Sequence, residues 1–493
     1  MGENKEEIIS KVSSLTGVSV EYINEQLSAS YVKDDTFVPI KKLKNSEQET
    51  KNALLEIQGV QINQIDGRVY SLGEEAGHLI GYVQSVTAED LEKNADEGYT
   101  TTSLIGKNGL EQAYEDTLRG IDGTEIYIAD ENGNKLQVLA KQDKKDGKDV
   151  KLTIDSTLQK NVYEQMKTDK GLFVIMEPST GELLALVSTP TFDSNDFTVG
   201  ITQDKWDSLN NDEAKPLYNR FIQKYCPGST FKAITGAIGV TTGKIDPNED
   251  YGYQGKSWQK DSSWGTYQVT TLTGYSGPKN LQNAIIHSDN IYFAKSALNI
   301  GAETFAESLN KIGFNEQLEF PIYLQKSQYA NNNGTTIEGE IKLADSGYGQ
   351  GSILVNPIHM ASIYSAFANS GNMIKPIINE NDEKGQIWKQ NAFTKEAADI
   401  IKEDLIQVVE NKEGTANDMK IEGLTIAGKT GTAELKTSSE DTTSGTLGWF
   451  DCFTINRTNG NNMLIISMIE NVQDNADGGS HYLIKKIRSI LGA

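Results

Sequence analysis

The chain has little of several things, and each shortage narrows what it can be. It has 2 cysteines in 493 residues, so no disulfide framework organises it. It lacks any apolar run of membrane-spanning length. Its first residues, Met-Gly-Glu-Asn-Lys-Glu-Glu, have neither the basic start nor the apolar stretch of a secretory signal. Basic charge is short: 46 Lys and Arg stand against 69 Asp and Glu, a net charge of −23. A surface of that sign excludes nucleic acid as a partner, because phosphate binding needs a basic face. There is no internal repeat. What remains is ordinary for globular protein, 37% hydrophobic and 23% charged, and the length calls for two or three domains. Taken literally, such a chain is soluble and cytoplasmic.

Residues 3–30 carry apolar positions at helical spacing (Ile8, Ile9, Val12, Leu15, then Val20, Ile23, Leu27), predicting two short helices joined at Thr16-Gly17. Residues 36–40 read as a strand. Residues 46–55 read as a helix, with Ser46 and Glu49 spaced as a capping box. Residues 78–83 and 124–129 read as strands. The Lys- and Asp-rich stretch 141–149 marks a domain boundary, dividing the chain into 1–147 and 148–493. Beyond it, residues 150–154 alternate as a strand and 157–167 are helical. Residues 171–176 and 183–188 form a hairpin of buried strands. Residues 215–420 are mostly helical, residues 448–454 and 463–469 are two more strands, and residues 480–491 form an amphipathic closing helix. Strands at both ends of a helical middle predict an α+β unit: one sheet with a helical subdomain inserted.

Three short motifs follow one another across that unit: Ser229-Thr-Phe-Lys232, Ser288-Asp-Asn290 and Lys429-Thr-Gly-Thr432. Pro227-Gly228 ahead of Ser229 signals a helix start, where partial positive charge favours a developing anion. Lys232, three residues on, shares that helical face. A serine hydroxyl needs an adjacent base, and a lysine serves once burial and neighbouring cations lower its pKa. Alone, such a pair is common and unremarkable. Asn290 both donates and accepts, which suits holding Lys232 and a substrate amide together, while Ser288 can pass a proton on; alone, the motif reads as an N-cap. Residues 426–433 read as a strand in which Gly431 admits a substrate backbone. There Lys429, Thr430 and Thr432 meet a carboxylate; alone, it is a surface strand. All three in order, each on the expected element, outweigh the ordinary reading of each and give a serine acyl-transfer site.

This ordered set is a known signature of penicillin-binding proteins and class A β-lactamases, and the chain resembles the class B penicillin-binding proteins. The resemblance extends to residues 150–155, to Gly181-Glu-Leu-Leu-Ala-Leu-Val-Ser188, to Ala344-Asp-Ser-Gly-Tyr-Gly-Gln-Gly351 and to Trp449-Phe450. Asp34-Asp-Thr-Phe-Val-Pro39 and Gly106-Lys-Asn-Gly-Leu-Glu111 are similar to the low-affinity, methicillin-resistance subgroup. The resemblance implies a transpeptidase domain over 148–493, with an antiparallel sheet flanked by helices and an all-helical subdomain. It implies an elongated α+β pedestal over 1–147, and a membrane-anchored enzyme on the extracytoplasmic face whose N-terminal anchor is missing from this stretch, Met1-Gly2 then being a cloning scar.

It further implies a peptidoglycan D,D-transpeptidase. Ser229 attacks the carbonyl between the terminal D-alanines of a stem peptide, and Lys232 takes its proton. Ser288 relays a proton to the leaving D-alanine, with Asn290 holding the network. Lys429, Thr430, Gly431 and Thr432 receive the terminal carboxylate. The N–H groups of Ser229 and Thr432 form the oxyanion hole, and a second stem peptide supplies the resolving amine. Expected partners are peptidoglycan strands, β-lactam inhibitors and a cell-wall glycosyltransferase, with no cofactor for the chemistry. A β-lactamase would need a deacylating Glu, and Glu307-Ser-Leu-Asn310 lies in an amphipathic helix. A β-lactam sensor would carry membrane spans ahead of the acylating domain.

Cys226 lies three residues before Ser229, and Cys452 follows Trp449-Phe450. Three readings stand open: two inert thiols, a disulfide, or a structural Zn²⁺ site of Cys226, Cys452 and His481 with Asp477 or Asp451 as fourth ligand. His287 is an alternative ligand. His78 and His359 read as structural. Gly347-Tyr-Gly-Gln-Gly351 lacks nucleotide-loop spacing and reads as a loop near the site.

Overall fold

The computed structural model describes residues 4–33, 35–272, 274–331, 334–434, 445–458, 460–475 and 479–492. The chain forms two compact units. One comprises Met1–Asp149 with Thr191–Leu217, the other Val150–Pro190 with Tyr218–Ala493.

In the first unit the expected helical pair is present as Lys5–Thr16 and Val20–Leu27. Ser19 caps the second by accepting from Tyr22 N. Ile9, Val12, Ile23 and Leu54 form a small core. The helix Gln48–Leu55 starts later than the capping-box spacing predicts. Glu47 holds the N-cap position without a side-chain cap, its carboxylate being engaged with Lys44 N at 2.6 Å. Residues 36–40 form no strand; Pro39 cannot donate to a ladder. Residues 78–83 are also different from expectation: Gly77–Ile80 is a helical turn, and only from Val83 does a strand begin, Val83–Ser85. Gly77, His78 and Leu79 are all buried, and a Cβ at Gly77 would stand 2.2 Å from Phe192 O. Thr124–Ala129 pairs with Lys135–Gln142 as an antiparallel hairpin. It is exposed almost throughout, with Ile126 at 58% and Leu136 at 66%.

The second unit is built on a 5-stranded sheet. Its spatial order is Ile426–Glu434, Thr446–Thr454, Leu464–Glu470, Gly171–Met176, Leu183–Thr189. Every neighbouring pair is antiparallel. The early hairpin therefore completes a sheet begun by the last three strands, and the helical middle of the sequence is inserted between them, as the pattern predicts. All six residues of Gly171–Met176 are buried, which is why that segment reads as an unbroken apolar run rather than an alternation. Ser156–Met166, Pro357–Ala368, Lys395–Glu410 and His481–Leu491 pack on the sheet. Residues 150–154 contribute one bridge, Leu152 to Asn379, instead of a strand. Among the described residues no helix is long and apolar enough to cross a membrane.

Candidate active site

Ser229 sits in a single 3₁₀ turn, Gly228–Phe231, that runs into the α-helix Lys232–Thr241. Gly228, Thr230, Phe231 and Lys232 are buried, while Ser229 is partly exposed. The turn thus presents one hydroxyl to solvent and buries its neighbours. Gly228 has φ +54°, and a Cβ there would stand 2.4 Å from Thr432 O. No L side chain fits, so the turn lies directly against the strand that carries the third motif.

The second motif meets the first at the Lys232 amine. Lys232 Nζ donates to Ser288 O at 2.6 Å, Ser288 Oγ at 3.0 Å and Asn290 Oδ1 at 2.7 Å. Ser288 adopts φ 55°, an uncommon backbone for a serine, and both its carbonyl and its hydroxyl reach the amine. Asn290 Nδ2 donates to Thr270 O at 2.8 Å, so its Oδ1 is the atom turned toward Lys232. Asp289 is the N-cap of the helix Asn290–Ile300, accepting from Ile291 N and Tyr292 N, and Tyr253 Oη donates to its other oxygen. The capping reading of this motif holds for Asp289, and the chemical reading for the residues on either side of it. Lys232 is fully buried. Burial, then the nearby Lys429 charge, holds its pKa well below the usual lysine range, with Asp289 opposing. Once neutral, the amine has two N–H groups and a lone pair, so the Ser288 hydroxyl contact reverses to donate to it, and a neutral amine next to a serine is a competent base.

Lys429 is on the strand Ile426–Glu434, at one edge of the sheet. It is buried, and burial lowers its pKa to about 7. Strand alternation puts Lys429 and Gly431 on one face and Thr430 and Thr432 on the other. A Cβ at Gly431 would stand 2.8 Å from Thr230 Cγ2 and 3.1 Å from Pro227 O. The missing side chain therefore admits the serine turn, where the sequence suggested room for substrate backbone. Thr430 Oγ1 donates to Thr415 Oγ1 at 2.8 Å, and Thr432 is exposed. Ser229, Lys232, Ser288, Asn290, Lys429, Thr430, Gly431 and Thr432 thus converge on one place. What they can do together is activate a hydroxyl, relay its proton and hold an anion.

The zinc site is not formed. Cys226 Sγ donates to Gly349 O at 3.0 Å, and burial pushes its thiol up to about 12. Cys452 is wholly buried and its thiol is also pushed up, by burial and then by Asp451. Trp449 Nε1 donates to Cys226 O at 3.0 Å; Cys452, three positions along the strand, projects from the opposite face. Both thiols are free, so no disulfide joins them. His481 is exposed and pairs with Asp418 at 3.1 Å. Asp477 lies outside the described residues, as does Asp34. Asp451, the alternative ligand, alternates away from Cys452. His287 stacks on Tyr275 with ring centroids 4.2 Å apart. Among the described residues no group of His, Cys, Asp and Glu is placed to hold a metal ion. His359 is structural, its nitrogens 2.7 Å from Ser327 Oγ and 2.8 Å from Ile312 O.

The penicillin-binding protein transpeptidase domain matches residues 171–487. The chain belongs to the class B penicillin-binding proteins. A penicillin-binding protein dimerisation domain matches residues 1–152. Penicillin-binding protein 3 of Bacillus subtilis is 40% identical over 489 residues, 99% of this chain and 71% of that protein. The peptidoglycan D,D-transpeptidase MrdA of Acinetobacter baumannii is 31% identical over 78% of this chain, which spans 59% of the relative. The fold matches a penicillin-binding protein solved with MreC from Helicobacter pylori, at TM-score 0.78 and 24% identity, covering 100% of this chain and 92% of that one. The penicillin-binding protein described here is a serine-type peptidoglycan D,D-transpeptidase.

The motifs left part of the site unread. Thr270 orients Asn290 through a backbone carbonyl, which no side-chain pattern reveals. Tyr253 and Tyr364 act from distant segments, with Tyr364 Oη donating to Thr230 O at 2.6 Å.

Proposed function

We propose that transpeptidation runs through a Ser229 acyl-enzyme. The observation that carries this reading is the Lys232 amine: fully buried, bonded to Ser288 Oγ and Asn290 Oδ1, and one helical turn from the only partly exposed residue of its turn. Ser229 Oγ attacks the carbonyl of the penultimate D-alanine as its proton passes to Lys232. The anion that develops is met by the N–H groups of Ser229 and Thr432, a placement supported by the contact of Gly228 with Thr432. Collapse breaks the C–N bond, and Ser288 delivers the proton to the departing D-alanine. An amine of a second stem peptide then displaces Ser229, returning its proton through the same relay. The edge position of the Lys429 strand supports the reading further: an unpaired strand edge can take up an extended peptide as an added strand. Lys429, Thr430 and Thr432 receive the terminal carboxylate in this scheme, and a β-lactam enters by the same route.

The reading extends to residues 148–493 as the catalytic domain and 1–147 as its pedestal, to action at the outer face of the cell membrane, and to a glycosyltransferase working on the same strands. The shared cell-wall substrate supports the last two. The likeness to the low-affinity subgroup is carried with it, on residues 34–39 and 106–111. Intact-protein mass spectrometry after incubation with a penicillin tests the reading. A lasting adduct on wild type, absent from Ser229→Ala, is expected. An adduct retained by Ser229→Ala overturns the assignment, and one that hydrolyses within seconds points to a β-lactamase.

A further inference from the structure

Asp451 stands out behind the site. It is the register partner of Lys429 across the two edge-most strands, which brings their Cβ atoms to about 5 Å on one face of the sheet. It is fully buried, yet neither carboxyl oxygen accepts a well-formed hydrogen bond among the described residues. Its polar neighbours include the Thr230 hydroxyl and the Ser467 backbone N–H, and the Tyr364 hydroxyl lies close enough to interact with its charge. Thr230 Oγ1 already donates to Pro227 O at 3.0 Å, so toward Asp451 it can only accept. A carboxylate would leave that meeting without a proton, whereas a carboxylic acid would complete it.

We propose that Asp451 is a positioning residue for acyl transfer: its carboxyl ties the strand carrying Lys429 to the turn carrying Ser229, through the Thr230 hydroxyl. Thr230 is then held three ways. Tyr364 takes its carbonyl, Pro227 O takes its proton and Asp451 supplies one to its free lone pair. The residue before it in the chain is Ser229, so fixing Thr230 fixes the direction of the nucleophile. Burial holds the Asp451 carboxyl well above the usual carboxylate range, with the Thr230 hydroxyl and the Ser467 N–H opposing; the Thr230 bond to Pro227 O leaves the protonated acid as the donor in this pair. The competing account is a buried acid without function, and it makes the opposite prediction: replacing an unmatched buried polar group by an apolar one of similar shape raises stability and leaves the chemistry alone.

The proposal rests on Ser229 being the nucleophile, and the experiment separates the two. The full chain is prepared as wild type, Ser229→Ala, Asp451→Val and Asp451→Asn. Acylation by a fluorescent penicillin is followed against concentration, to split the limiting rate from apparent affinity, beside thermal melts. Asp451→Val is expected to melt at or above wild type while its limiting rate falls about five- to tenfold, the worth of one hydrogen bond, with affinity little changed. Asp451→Asn, which keeps a donor, is expected within about twofold of wild type, well inside one such bond. A wild-type rate in Asp451→Val overturns the proposal, as does an Asp451→Asn variant as slow as Asp451→Val. Should Asp451→Val fail to fold, Thr230→Val removes the same bond from the other side, and a wild-type rate there overturns it equally. If wild type gains no adduct on Ser229, the site assignment fails instead.

Discussion

Two antiparallel hairpins that both carry Ile, Leu and Val behave in opposite ways. Gly171–Met176 with Leu183–Thr189 is buried almost throughout. Thr124–Ala129 with Lys135–Gln142 is exposed almost throughout. Both are rich in Ile, Leu and Val, and both pair antiparallel. The difference is the company. The first joins three more strands and a layer of helices, and the catalytic lysine strand lies in the same sheet. The second remains a two-stranded ribbon, and a small core of its unit rests on Ile9, Val12, Ile23 and Leu54. The candidate site sits on the larger packed core, because a base must hold its geometry to fractions of an ångström.

That contrast can be broken or sharpened by substitution. Lys232→Ala is expected to have the largest effect, slowing acylation by roughly 10²–10⁴-fold, the range of a lost general base; a stopped-flow penicillin assay checks it. The pH profile of the same assay comes next. Protonation of Lys232 removes the base as pH falls, and loss of the Lys429 proton removes the anion-binding charge as pH rises through about 7. A bell results, and its alkaline limb is expected to vanish in Lys429→Gln, at a lower plateau. In the buried sheet, Ile175→Ala is expected to cost about 2–5 kcal/mol of stability by denaturant titration, the range for truncating a packed core side chain. Ile23→Ala falls at the lower end, about 2 kcal/mol, since its cluster is edged by half-buried neighbours, and it leaves acylation unchanged. Ile126→Thr, on the exposed ribbon, is expected within about 0.5 kcal/mol of wild type. An effect of several kcal/mol there would show the ribbon to be covered in solution.

Much of this was legible in the sequence, for identifiable reasons. Continuous apolar runs such as residues 171–176 announce central strands, and the three motifs announce a site whose members cannot otherwise be paired by spacing. Local signals failed where tertiary contacts decided the outcome. Residues 78–83 read as a strand from their apolar run alone, yet Gly77–Ile80 forms a helical turn and the strand begins only at Val83. Residues 150–154 found only one bridging partner, Asn379. Ser46 lost its cap role because Glu47 was drawn to Lys44 N. The two cysteines looked near each other along the fold, but Cys452 stands one and a half strand periods from Trp449, whose ring reaches the Cys226 carbonyl, and so points to the opposite face. Thr270, Tyr253 and Tyr364 reach the site through a carbonyl and two ring hydroxyls, and nothing in their local sequence marks them. Asp451 was visible only as a spare metal ligand, because its partner is defined by strand register.

The seam between Gly228 and Thr432 limits how the site can be tuned. There the gap between the turn carrying Ser229 and the strand beside it is set by bare backbone, with no room for even one methyl group. That point therefore has no fine adjustment: any side chain at residue 228 forces the turn and the strand apart at once. Graded changes in the geometry of the site fall instead to the surrounding side chains, where Thr230, Tyr364, Tyr253 and Asp451 can each be altered by a few atoms.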